Sequence, residues 1–348
     1  MSILAMKDIG LVTKIKAIYG KRLRFEDYMH LKQMHSVAEI TAYLKKHSGY
    51  SDVLKNVEES SMHREMLEIL LKDELTKEYA RIINFVKGEE EKLLYCMIIH
   101  FETEEIMYFL RTFISENMEE YSPRISPEIM KHSEIDFGQL KGTKSFSALV
   151  EQLEGTRYYI ILKQFLKDEF IDYTKIEIAL RSLYFKYILN AVEKYVPKED
   201  RKILLDYVGG QIDITNFSRI IRCKKYFVSN DINIYSDLLP LTYRLDRKKI
   251  NAMTDASTWE EAYEMIYSTV YKRLFLDFHY DMVEQYYFEF MWEAARKIMH
   301  SNRVSVCVAY AYLNIKQIEI SNLINIIECV RYQVDVETID RHLIGVGA

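Results

Sequence analysis

The sequence predicts an all-α chain built from three similar helical repeats, and three observations carry that prediction. A motif recurs: residues 211–226 read QIDITNFSRIIRCKKY and residues 317–332 read QIEISNLINIIECVRY, so that Gln, Ile, an acid, Ile, a hydroxyl, Asn, Ile-Ile, Cys and Tyr return in register. A fainter copy at 101–111, FETEEIMYFLR, puts Glu102 where Asp213 and Glu319 stand and Arg111 where Arg222 stands. A second marker keeps the same phase: Ser36, Ser145 and Ser257 each open a short amphipathic stretch leading to Tyr50, Tyr158 and Tyr271, a period of about 110 residues. Composition agrees. Pro 4 and Gly 11 in 348 residues are too few for a chain rich in turns, and no run alternates strictly apolar and polar as a half-buried strand does.

Taken in order, each repeat opens with its Ser-led stretch. Ser36 and Ser257 have Glu39 and Glu260 three residues on, the arrangement in which a hydroxyl and a carboxylate satisfy the free N–H groups of a helix start. A longer stretch follows at 66–86, 176–196 and 282–299, with an apolar residue every three or four positions and aromatics on the buried stripe, such as Tyr79, Tyr184 and Tyr287. The acidic motif closes each repeat. Pro123 and Pro127 follow the first copy and Pro240 the second, in segments of poor helical pattern, whereas Pro197 suits the first turn of a new helix. Boundaries near 125 and 238 divide the chain into repeats 1–125, 126–238 and 239–348.

Projected at 100° per residue, the last motif gathers Leu323, Ile326, Ile327 and Val330 on one stripe, and the middle motif gathers Phe217, Ile220 and Ile221. Opposite lie Glu104, Tyr108 and Arg111; Thr215, Arg219 and Arg222; Ser321, Asn325 and Glu328. These sets are either solvated faces or places where partners touch, and Arg111, Arg219, Arg222, Asn325 and Glu328 are the candidate partner contacts. Asp213 and Glu319 are expected to serve as structural helix caps, each carboxylate meeting free N–H groups at a positive helix end.

The residues point away from chemistry. Gly209-Gly210 is an isolated pair and no Lys-Ser/Thr follows the final glycines, so no phosphate-cradling loop is expected. The nine His show no i, i+4 ligand pair and there is no G-x-S-x-G elbow; we expect no catalytic residue, cofactor or metal. Cys96, Cys223, Cys307 and Cys329 form no C-x-x-C pair and suit buried thiols in a reducing cytosol. A net charge of −5 without a basic block disfavours nucleic acid. The N-terminal residues lack the order of a signal peptide, and the longest apolar run, 304–313, is about half a membrane span, so any membrane association is expected to be peripheral.

The same residues resemble a known family, the C subunits of V/A-type ATPases, equivalent to the d subunit of the eukaryotic vacuolar pump. The likeness rests on residues 212–217 with Arg222 and Lys224, on residues 316–323 with Arg331-Tyr332, on the weaker Phe101-Glu102 copy with Arg111, and on the three Ser-led stretches. Glu105, where the first copy usually has Asn, and Cys329-Val330, where the last usually has Gly-Lys, depart from it. The resemblance implies three similar helical domains in a pseudo-threefold, funnel-shaped arrangement. It implies a non-catalytic central-stalk subunit, a cytoplasmic socket peripheral to the membrane. The implied partners are the membrane rotor ring of c/K-type subunits and the central axle subunits of D and F type, and the implied process is ATP-linked proton or sodium transport. A stand-alone helical-repeat scaffold is the rival reading; solenoid repeats are usually about 20–50 residues long, and this longer period favours the socket.

Overall fold

The computed structural model describes residues 3–46, 49–86, 88–116, 121–168, 170–227 and 233–346, and among them there are helices and turns but no strand. Three motif helices dominate: Glu91–Ile114, Lys198–Tyr226 and Val306–Arg331. Each carries far more buried residues than one stripe holds; from Val306 to Lys316 every side chain is buried. A helix apolar on all sides must be covered on all sides, so these helices become the centres on which the others pack.

The chain forms two compact units, Met1–Lys87 with Phe288–Ala348, and Gly88–Tyr287. In the first, Val306–Arg331 is flanked by Arg64–Ile83, Ile3–Tyr19 and Val37–Lys46. In the second, Tyr173–Tyr195 runs between Glu91–Ile114 and Lys198–Tyr226, and Arg247–Asp255 and Trp259–Ile266 lie on the latter.

The Ser-led helices start as anticipated, with one shift of register. Ser36 Oγ accepts from the N–H of Glu39 and Ser145 Oγ from that of Ala148. In the third copy the cap is Thr258, not Ser257: Thr258 Oγ1 accepts from the N–H of Glu261, whose carboxylate accepts from the N–H of Ser257. Glu39 likewise reaches back to the N–H of His35, so His35 and Ser257 are equivalents. Pro197 stands at the N-cap of Lys198–Tyr226, where its lack of an N–H costs nothing. Cys96, Cys223 and Cys307 are buried free thiols, and Cys329 is half-buried.

Candidate functional site

The three motif acids do one job in three places. Asp213 is fully buried and accepts from the backbone N–H groups of Tyr243, Arg244 and Leu245 at 2.8, 2.7 and 2.9 Å and from the Tyr271 hydroxyl at 2.8 Å. Glu102 accepts from Ser133 Oγ at 2.6 Å, the Glu134 N–H at 2.8 Å and the Tyr158 hydroxyl at 2.6 Å. Glu319 accepts from the Leu23 N–H at 2.7 Å, Lys316 Nζ at 2.7 Å and the Tyr50 hydroxyl. Each acid thus ties a loop and the tyrosine that follows the next Ser-led helix, and the third copy finds both at the other end of the chain.

This corrects the expected role of Asp213 and Glu319. They stand well inside their own helices and cap neither; the N–H groups they satisfy belong to loops packed against the helix side. Backbone N–H groups in a buried loop need acceptors, and a carboxylate can take several at once. Burial drives the Asp213 carboxyl above its ordinary value, against the pull of the Leu245 N–H and the Tyr271 hydroxyl. Burial and the facing carboxylate hold Tyr158, Tyr271 and Tyr50 protonated well above the ordinary phenol range. Lys316, buried beside Glu319 and 4.1 Å from the Tyr50 ring centre, gives the third clamp a cation close at hand.

A second clamp lies one helical turn on. Asn216 donates to the carbonyls of Leu239 and Leu241 and accepts from the N–H of Leu239; Asn322 donates to the carbonyl of Ile344 and accepts from its N–H. Glu105, at the equivalent place, accepts from the Tyr121 hydroxyl and the Arg124 N–H. In the first two copies the two positions together hold successive stretches of the chain that leaves the motif helix; in the third, Asn322 holds that chain at Ile344 while Glu319 holds Leu23.

The polar faces named as partner contacts are largely occupied from within. Arg219 pairs with Glu177 at 2.9 Å and reaches the Asp237 carbonyl; Arg181 joins Glu177 to Glu104 at 2.7 and 3.1 Å. Burial would lift the Glu177 carboxyl, but Arg181 and Arg219 outweigh it and hold it below its ordinary value. Arg222 pairs with Glu284 while staying half-exposed, Glu328 pairs with Arg64, and Asn325 donates to the His342 carbonyl. Arg111 is exposed. No group of three or more His, Cys, Asp or Glu among the described residues is placed to hold a metal ion.

Two cavities lie beside the clamps. One of about 440 Å³ is lined by Tyr95, Ile98, Glu102, His132, Arg157 and Tyr187 among others. Another of about 450 Å³ is lined by Arg22, Arg24, Tyr28, Trp292, Ile315 and Glu319 among others. Ile98, Gly209 and Ile315 each stand four residues before their acid. In the middle copy the Tyr243 ring lies on Gly209, where a Cβ would be 2.2 Å from ring carbon Cγ.

The sequence markers contained Tyr50, Tyr158 and Tyr271 without assigning them a task. Their constant phase with the acids was the available signal that acid and phenol meet. Lys316 and the loop N–H groups carried no such signal.

No helix among the described residues is long and apolar enough to cross a membrane. The family model of the ATP synthase (C/AC39) subunit matches residues 11–342. The C subunit of the A-type ATP synthase of Methanosarcina mazei is 25% identical over 221 residues, 62% of this chain and 58% of the relative. The protein of the same name from Methanosarcina acetivorans is 21% identical over 329 residues, 90% of this chain and 86% of the relative. That of Methanobrevibacter smithii is 32% identical over 124 residues, 35% of this chain and 32% of the relative. With residues 11–342 matched, and with the repeated acids of that stretch each seated in an equivalent clamp, this chain belongs to the ATP synthase (C/AC39) subunit family.

Proposed function

We propose that this protein is the non-catalytic central-stalk subunit of a rotary V/A-type ATPase, a socket that couples D- and F-type axle subunits to a membrane rotor ring of c/K-type subunits for ATP-linked proton or sodium transport. The match of the family model over residues 11–342 carries the reading. The clamps support it physically. A part that transmits torque must not shear between its helices, and carboxylates that each take several hydrogen bonds tie successive helical segments together. The three-domain, pseudo-threefold arrangement with boundaries near 125 and 238 is part of the same proposal. Arg111, exposed on its motif helix, is the best placed of the five candidate contacts to meet a partner.

Affinity purification of the tagged chain from its native membranes, followed by mass spectrometry, tests the assignment. Ring and axle subunits are expected together in one preparation. Recovery of the chain without either, under conditions that keep the ATPase whole, overturns it.

A further inference from the structure

The third clamp has a surplus of donors beside it. Both Glu319 oxygens are engaged: one accepts from the Leu23 N–H, the other from Lys316 Nζ and the Tyr50 hydroxyl. With Lys316 buried against it, the acid forms a pair that is neutral as a whole, at the edge of the cavity of about 450 Å³. Asn322, also in the wall, is bonded in both directions to Ile344. What remains uncommitted in the wall donates. The Trp292 Nε1–H is buried and has no acceptor among the described residues. Arg22 lies 4.1 Å over the Tyr19 ring and gives one N–H to the Tyr19 carbonyl at 3.2 Å, and Arg24 is exposed at the rim. Neither arginine meets a carboxylate within ion-pair distance among the described residues.

A guanidinium has five donors and an indole one, and neither accepts. A buried N–H without an acceptor costs free energy until one reaches it. The rest of the wall is apolar: Leu23, Phe25, Ile315, Ile344 and Val346, with the indole held so closely against Gly345 that no Cβ would fit between them. Two cations, an indole N–H and an apolar wall match an anionic, acceptor-only group on an apolar body. A carboxylate suits them better than a phosphate, since its two oxygens fit the guanidinium fork and its single charge meets less repulsion from the nearby Glu319. The volume is in the range of small-ligand cavities.

We propose that this cavity binds a carboxylate carried on an apolar body, a free acid or the end of a protein chain, with Arg22, Arg24 and the Trp292 N–H on the carboxylate and the apolar wall around the body. The proposal goes beyond the ATPase assignment and does not depend on it.

The chain has two tryptophans, Trp259 and Trp292, so two indole N–H signals report in a heteronuclear NMR spectrum, and Trp292→Phe identifies the one at the cavity. Titration of the full chain with hydrocinnamate is expected to move the Trp292 signal to saturation and leave that of Trp259 in place. Hydrocinnamamide, the neutral counterpart, is expected to move neither at the same concentrations. Arg24→Gln changes an exposed side chain, and is expected to unfold at the wild-type temperature while binding the acid about tenfold more weakly. Lys297→Gln, an exposed cation outside the cavity wall, is expected to bind it as the wild type does. A short peptide ending in Phe with a free carboxylate separates the two sources: a shift of the Trp292 signal by peptide and acid alike supports a chain end as the ligand, and a shift by the acid alone supports a free acid. No shift with hydrocinnamate, an equal shift with the amide, or undiminished affinity in Arg24→Gln overturns the proposal and leaves the ATPase assignment standing.

Discussion

Asp213 receives three backbone N–H groups and one phenol without contact with water, so Asp213→Asn turns an all-acceptor group into one that also presents donors to donors. Leaving buried groups unmatched costs about 1–3 kcal/mol, and a fall of that size in urea-derived unfolding free energy is expected. No change in midpoint would remove the acid from the fold's supports. Arg219 and Arg222, alike in sequence, should separate: Arg219 is 16% exposed and shares Glu177 with Arg181, whereas Arg222 and Glu284 are 51% and 65% exposed. Arg222→Ala should cost at most about 1 kcal/mol and Arg219→Ala about 1–3 kcal/mol, between an exposed and a buried pair. The same urea titrations decide it, and equal costs would deny the network. Acidification works in opposite directions at the two carboxylates. Glu177, held below its ordinary 4.5, stabilises the fold above that pH and loses the contribution as pH falls through its folded value. Asp213, raised above 3.8, costs stability once ionised, and that cost is relieved as pH falls. The stability difference between wild type and Glu177→Gln should therefore shrink below pH 4.5; a constant difference would refute the ion-pair account. None of this division was legible in the sequence, where a helical projection places Arg219 and Arg222 on one face but cannot show which has a neighbour across it.

At the scale of elements, Gly209 shows why a residue unfavourable in helices sits in the middle of one. Ala is favoured over Gly there by about 1 kcal/mol, yet its Cβ would fall 2.2 Å from Tyr243 Cγ. Overpacking of this kind costs about 1–3 kcal/mol. Gly209→Ala is expected to destabilise the wild type but to stabilise a Tyr243→Ser background, where the ring is gone. A double-mutant cycle by thermal unfolding checks the change of sign, and the same effect in both backgrounds would mean the ring does not rest on the glycine. Caps offer a parallel contrast. Thr258→Ala should cost about 1 kcal/mol as Ser145→Ala does, while Ser257→Ala, one residue outside the cap, should cost little. The helices and their Ser-led starts were readable because period and capping are local. The one-residue shift at 257 was not, since Ser257 and Thr258 are both good caps and Glu260 and Glu261 both supply the acid.

For the whole molecule, the recurrence of the motif marks equivalent acids, but a linear sequence does not say that each acid serves the tyrosine beyond another Ser-led helix. Glu102 reaches forward to Tyr158 and Asp213 to Tyr271, whereas Glu319 takes Leu23 and Tyr50 from early in the chain. The first unit is accordingly made from both ends of the chain, and its motif helix depends on residues almost 300 positions away. Deleting residues 1–24 removes Leu23 and its N–H together with the buried Leu11, Val12 and Ile15. Glu319 and Lys316 would then face water on a side that the remaining chain cannot cover. The amides of Val306–Arg331 are expected to lose most of their protection from hydrogen exchange. Those of Lys198–Tyr226, in the other compact unit and clamped by Tyr243, Arg244 and Leu245, should keep theirs, because protection follows the cooperative unit rather than the chain as a whole. Loss of protection to the same degree in both helices would show that the chain opens as one body and that the N-terminal segment supports both units. Unchanged protection in Val306–Arg331 would mean that the Leu23 contact, however well formed, is not what keeps the third motif helix in place.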